Sequence, residues 1–502
     1  MQARADRPHV AVVGAGISGL AAAWLLRRAA GEAIEVTVLE GSTRIGGKLQ
    51  VSEVAGIPVD EGADAILVRR PEGRDLVRAV GLAGELTEPG TTSASLWTRG
   101  RLRPLPAGTI MGVPADLSAL ARARILSDAG LARVPLDLLL PRISIEGDVS
   151  VGSYVGARLG REVVDRLVDP LLGGVYAGRA DMLSLDATLP GLAPAAHAGR
   201  SLLLAAREAQ RPSTAAAGPV FNTLTGGLGT LPPAVAAGSG ARVRTSAMVR
   251  ELRRTGGSSG RGWRLTVGET RAPESVEADA VVLAVPARPA SRLLADEVPG
   301  AAAELAAIDY ASVAVVTLAY NRSAFPAGVP GSGYLVPAVD GRTIKAVTFS
   351  TNKWPHLTRD APQTVVVRCS IGAYREEGAL HRSDQELAAV AVTELAQALA
   401  VRELPVDSRV TRWGGSLPQY AVGHLDRVSR ARSAVAAVPG LAVCGAAYDG
   451  LGIPACVASA RSAVTQVLGH LDPEGQWRHA EAPGPRAERA DSLHDVVGLP
   501  GT

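Results

Sequence analysis

The hydrophobic pattern opens with an unbroken apolar run, His9-Val10-Ala11-Val12-Val13, of the length expected for a buried strand. A glycine-spaced turn follows, Gly14-Ala15-Gly16-Ile17-Ser18-Gly19, then helical spacing over 20–30 and a second apolar strand over 36–40. This order is the βαβ unit that binds dinucleotides. In it Gly14 permits the tight turn, Gly16 lets a pyrophosphate approach the backbone, and Gly19 lets the helix lie close on the strand. The helix start offers unpaired N–H groups and a partial positive charge to the phosphates. Glu40 ends the second strand where a carboxylate can bond a ribose diol.

Directly afterwards, Gly41-Ser42-Thr43-Arg44-Ile45-Gly46-Gly47-Lys48 reads as a second nucleotide loop. Gly46 and Gly47 allow close backbone approach, and Arg44 or Lys48 supplies charge. The stretch 56–65 turns sharply after a short strand, and Arg69-Arg70 leads into a helix over 75–80. Between 105 and 190 the pattern becomes helical, over 116–128, 151–159 and 162–168, as an insertion into the nucleotide unit. The insertion includes an apolar patch, 131–141 (LARVPLDLLLP), open to core packing or to docking on a membrane surface. It ends in 170–178, read as a glycine-spaced loop.

The stretch 209–218 reads as a mobile surface loop, and 221–233 (FNTLTGGLGTLPP) as a glycine loop opening a helix. Strands are expected over 241–244, 247–252, 263–267 and 278–287. From 308 to 377, strands bounded by Gly, Pro and Asn suggest a largely antiparallel sheet walling a ligand cavity. A helix over 384–400, a strand over 441–446 and a helix with Pro454 in its first turn close the pattern. The tail 473–502, rich in Pro, Gly, Glu and Arg, is expected to be disordered.

Composition narrows the classes. With 502 residues, 47% of them hydrophobic, the chain can bury two or three cores. A formal charge of +3 without any basic block gives nucleic acid no footing. Of the 52 basic residues only Lys48, Lys345 and Lys353 are lysine, a skew ascribed to genomic base composition. Three scattered cysteines support neither disulfides nor a metal site and fit a reducing cytoplasm. The N-terminal residues leave no room for a signal peptide's apolar region, and no apolar run is long enough to span a membrane.

Taken together these motifs resemble the flavin-dependent protoporphyrinogen and coproporphyrinogen oxidases, within the amine oxidase flavoprotein superfamily. The likeness covers 9–470 and is most specific at 173–190 (GGVYAGRADMLSLDATLP), 226–232 (GGLGTLP) and 417–428 (LPQYAVGHLDRV). It implies an α/β fold with a discontinuous Rossmann-like FAD domain (8–92, 218–290, 410–472). A mixed-sheet substrate domain (93–105, 188–217, 291–409) and a membrane-associating helical insertion (106–187) complete it. By the same resemblance Gly14, Ala15, Gly16, Ile17, Ser18, Gly19 and Glu40 hold the ADP half of FAD, with Gly41, Arg44 and Gly47 beside it. Lys48, Gly62, Ala63, Asp64 and Ala65 lie along the flavin, and Val249 packs on the adenine. Trp413 contacts the cofactor, while Gly445, Gly452, Ile453 and Pro454 reach the flavin end.

The reaction so implied removes six hydrogens from a porphyrinogen in three two-electron steps, with hydride passing to FAD and dioxygen returning as hydrogen peroxide. Since the cofactor performs the redox step, no catalytic triad is needed. A broad, flat tetrapyrrole wants an apolar slot with cations at its propionates. Gly174 would offer a carbonyl to the ring nitrogens, Leu335 would press on the macrocycle, and Arg70 would meet a propionate; packing, turn geometry and a solvated charge are the plain alternatives. Some family members carry an arginine shortly before the segment matching Leu96-Trp97 and a phenylalanine at Ser332, where this chain has Ala94-Ser95 and serine. These departures point to coproporphyrinogen, with four propionates, over protoporphyrinogen with two. The implied partners are porphyrinogen, dioxygen and ferrochelatase as the next enzyme; the implied location is the cytoplasm or the cytoplasmic membrane face, and the oligomeric state stays open. Two rival readings remain: an amine oxidase or carotenoid desaturase, and a non-catalytic prenyl-GTPase carrier. An amine oxidase would show an aromatic pair at the flavin, whereas Tyr448 is the sole aromatic of the last loop. The intact phosphate turn speaks against a carrier.

Overall fold

The computed structural model describes residues 7–210, 219–255, 262–475 and 477. Most of the loop expected over 209–218 and nearly all of the 473–502 tail lie outside the described residues. The first strand, β1 (His9–Val13), is buried except at its leading histidine. Helix α1 (Ile17–Ala30) starts earlier than the apolar spacing suggests, because Gly16 is its N-cap and the glycine turn merges into the first turn. Strand β2 (Glu35–Leu39) stops one residue short of Glu40.

β1 lies between β2 and Ala280–Leu283 in a five-stranded parallel sheet, flanked at its edges by Arg242–Arg244 and Leu441–Val443. Val12 pairs with both Val38 and Val282. Both faces are covered, which is why these strands read as continuous apolar runs. One face packs on α1 and on the last helix, and the other on helices Ala287–Leu294, Pro299–Ala306 and His424–Ala436. A three-stranded antiparallel sheet, Val249–Arg254, Trp263–Glu269 and Ala272–Ala278, joins that second layer.

Seven strands build the second large sheet, in the order Asp407–Pro418, Tyr310–Asn321, Thr364–Ile371, Ile344–Phe349, Gly333–Leu335, Ala94–Thr98 and Arg101–Pro104. Its pairs are antiparallel except Gly333–Leu335 beside Ala94–Thr98, so the sheet is mixed. Period-two alternation divides its faces. Tyr334, Val347, Val367, Cys369 and Ile371 are buried beneath helix Asp384–Leu399. Leu335, Ala346, Thr348 and Ser370, on the opposite face, are only half-buried.

The helical part has its own core, from Val113 through Leu172 to Ala206. Within it Arg161–Val163, a π-helical turn Val164–Val168 and α2 (Asp169–Tyr176) run on without a break. The loop expected at 170–178 is therefore helix as far as Tyr176. Pro170 is the second residue of α2, and because the helix runs on from the π-helical turn its missing N–H forgoes one helical bond there. Beneath the leucine patch, the fully buried Arg158 donates to Asp137 at 2.5 Å and to the Pro141 carbonyl at 2.8 Å. The chain ends in α3 (Ile453–Leu471).

Candidate active site

The turn between β1 and α1 forms a cradle. At Gly14, where φ is +103°, an added Cβ would stand 2.7 Å from the Ala284 carbonyl oxygen, and at Gly19 1.9 Å from that of Gly14. At Gly16 nothing lies within 4 Å, and no side chain caps the start of α1. Ile17 and Ser18 are buried in the helix's first turn. The second glycine loop closes the cradle: the Gly46 N–H donates to the Ala15 carbonyl at 2.8 Å, and an added Cβ at Gly47 would come 3.3 Å from the Gly16 Cα. One Glu40 oxygen accepts from the Ala15 N–H at 2.7 Å and the other from the Ser42 N–H at 2.9 Å, which aims the carboxylate back at the turn. Arg44 donates to the Gly47 carbonyl at 2.8 Å and lies 6.0 Å over the Trp413 ring, so it braces the loop. Val249 is buried in the core beneath, while its neighbour Met248, 53% exposed, stands beside Gly41.

Farther along, Gly62 lies so close to the Lys48 carbonyl that an added Cβ would stand 2.0 Å from it. Trp413 Nε1 donates to the Glu61 carbonyl at 3.0 Å and Arg368 to the Gly62 carbonyl at 2.6 Å. Ala63 is exposed beside them and Ala65 packs on Ile57 and Val59. The Asp64 carboxylate is taken up by Lys353 at 2.9 Å and Arg368 at 3.5 Å. Burial raises its pKa, but those two charges outweigh burial and hold it at about 2. Burial pushes the Lys48 ammonium pKa down, with Cys456 nearby. The N-terminus of α3 at Gly452 has no side-chain cap, Ile453 and Pro454 are buried behind it, and the Gly445 N–H donates to Ser459 at 3.2 Å.

Two of the residues expected at the substrate are neighbours. Gly174, in the last turn of α2, sits 3.2 Å from Leu335 Cδ2 as measured from an added Cβ, so these two residues come together. Among the described residues no backbone N–H bonds the Gly174 carbonyl, which therefore stands free at the negative end of a helix. Arg70 is not beside them. It precedes helix Pro71–Ala79, whose Gly73 packs against Pro454, and it pairs with Glu72 at 3.1 Å.

Several charged residues escaped the sequence reading. Asp60 accepts from the Leu228 and Gly229 N–H groups at 3.1 and 3.3 Å, and burial, only partly offset by those bonds, raises its pKa to about 7. With Asp64, Thr223, Ser350, His356 and Arg368 it lines a cavity of about 20 Å³, room for a water molecule. Arg368 and Lys345 could have been noticed as charges interrupting apolar strands. Their partners lie on other elements, 31 positions away for Lys345 and 306 for Arg368, and could not. Among the described residues no cluster of His, Cys, Asp and Glu is arranged to hold a metal, and no helix is long and apolar enough to cross a membrane.

The sequence pattern of the flavin containing amine oxidoreductases matches residues 17–468. The chain belongs to this family. Its cofactor is FAD, and the open space at Gly16, the uncapped starts of α1 and α3 and the paired glycine turns suit that group. A coproporphyrinogen III oxidase of Mycobacterium tuberculosis is 39% identical over 465 residues, covering 92% of this flavoprotein and 97% of its own chain. One from Bacillus subtilis is 32% identical over 476 residues, covering 93% and 99%. A solved structure from Exiguobacterium sp. 255-15 superposes with a TM-score of 0.80 at 31% identity, covering 92% of this chain and 98% of that one.

Proposed function

We propose that this flavoprotein oxidises coproporphyrinogen III to coproporphyrin III in haem synthesis, with dioxygen as acceptor. The observation that carries the reading is the free Gly174 carbonyl at the end of α2, with Leu335 beside it. FAD, when bound, accepts two electrons with a hydrogen from the substrate and passes them to dioxygen. The chain's own part is placement. The Gly174 carbonyl accepts a pyrrole N–H, and the negative helix end stabilises the positive charge that grows on the macrocycle as hydride departs. Leu335 holds the ring flat. Arg70, partly exposed beside Glu72, meets a propionate at the edge of the slot near α3.

Tyr448 does not supply an amine oxidase's aromatic pair: it is 1% exposed and lies under Arg432. The coproporphyrinogen III oxidases similar over nearly the whole chain support the same substrate, while relatives named protoporphyrinogen oxidase, at 31–32% identity, make protoporphyrinogen IX the alternative. The reading assigns FAD to 8–92, 218–290 and 410–472, substrate to 93–105, 188–217 and 291–409, and the helical insertion to 106–187. Leu136, Leu138 and Leu139 are exposed on that insertion, the last at 82%, and offer peripheral contact with the cytoplasmic face of a membrane. Product would pass from there to ferrochelatase. Aerobic incubation of the FAD-loaded protein with coproporphyrinogen III is expected to yield fluorescent coproporphyrin III and three peroxides per porphyrin. Peroxide from amines with no porphyrin formed would overturn the reading.

A further inference from the structure

At one end of the slot the strand Ile344–Phe349 bulges. Its register against Thr364–Ile371 slips between Ile344 and Ala346, and the extra residue is Lys345. A bulge re-aims a side chain out of the alternation of its strand. Lys345 reaches Glu376 at 2.9 Å, and Arg179 binds the other oxygen of the same carboxylate. Arg179 is anchored in turn to Asp169, the first residue of α2, at 2.9 Å. The cluster adjoins the slot. The Lys345 carbonyl accepts the N–H of Val336, the residue after Leu335, and Arg179 follows α2 shortly beyond Gly174. Lys345, Arg179 and Glu376 are all partly open to solvent, at 23%, 32% and 34%.

Two cations thus converge on one carboxylate at the rim of a slot.

We propose that Lys345 and Arg179 form a carboxylate clamp for the substrate, with Glu376 occupying it in the free protein as an internal stand-in. The proposal rests on the porphyrinogen reading above. A propionate entering the slot displaces Glu376 and takes over its charge-assisted hydrogen bonds. Until then Glu376 spares the half-buried cations from standing unpaired, and so it opposes binding. Burial raises the Glu376 pKa, yet Lys345 and Arg179 hold it below the usual carboxylate range, so it competes as an anion.

The test is a fluorescence titration of the holoenzyme with coproporphyrin III and, separately, with its tetramethyl ester, which keeps the ring and loses the charges. Lys345→Met is expected to weaken the acid about tenfold or more, the effect of one charge-assisted hydrogen bond, and to leave the ester unchanged. Glu376→Gln, a nearly isosteric change, is expected to tighten the acid severalfold. Equal effects on acid and ester, or weaker acid binding by Glu376→Gln, would overturn the clamp. Wild-type protein that neither binds coproporphyrin III nor oxidises coproporphyrinogen III would instead sink the functional reading itself.

Discussion

Asp60 and Asp64 stand four positions apart and titrate on opposite sides of their common reference value. Asp64 has two cations paired with its charge, whereas Asp60 has two backbone N–H bonds and only the more distant field of Arg368, which do not offset its burial. A buried acid with a raised pKa binds more protons folded than unfolded, so Asp60 makes stability fall as pH climbs from about 4 to about 7. Asp64 acts in the other direction: its contribution is present above about 4 and is lost as pH falls towards 2. Urea unfolding across pH should therefore show Asp60→Asn flattening the decline between pH 4 and 7. Asp64→Asn should cost about 3 kcal/mol near neutrality, because Lys353 and Arg368 lose their shared partner. Glycine roles, by contrast, were legible without a structure, since each follows from the shape of one local turn. Gly16→Val should fold normally, there being nothing within 4 Å, yet fail to retain FAD; a yellow mutant protein would contradict this. The roles of Asp60, Arg368, Lys345 and Glu376 were hidden because each depends on partners brought together only by the fold, from 31 positions away for Lys345 and Glu376 to 306 for Arg368 and the Gly62 carbonyl.

At the scale of elements, α2 marks where local reading failed. Pro170 and the pair Gly173-Gly174 look like a loop, and each glycine weakens a helix by roughly 1 kcal/mol relative to alanine. Tertiary packing overrides that preference: the helix is continuous with the π-helical turn before it, and Leu335 leaves little room for a side chain at Gly174. The π-helical turn is seated by Gly112, where φ is +86° and an added Cβ would stand 2.6 Å from the Leu167 backbone. Gly112→Ala should cost about 2 kcal/mol or more from strain and overlap, measured by unfolding, and should shift α2 enough to slow turnover. Strands fared better: the sheet expected between 308 and 377 forms, and its strands pair antiparallel as expected.

Over the whole molecule, the sequence foretold a nucleotide unit interrupted by other material, and the five-stranded sheet gathers its strands from both ends and the middle of the chain. Strand order was not legible, because nothing local tells Arg242–Arg244 to join β2 or Leu441–Val443 to join Ala280–Leu283. The large-scale consequence is that α2, carrying Gly174, packs on strands Gly333–Leu335 and Ile344–Phe349 of the second sheet. The most direct measurement is kcat/KM for coproporphyrinogen III against protoporphyrinogen IX, with peroxide counted alongside. A clear preference for coproporphyrinogen III, about tenfold or more if one extra charge-assisted bond is read, is the expected result. Equal rates, or a preference for protoporphyrinogen IX, would contradict it.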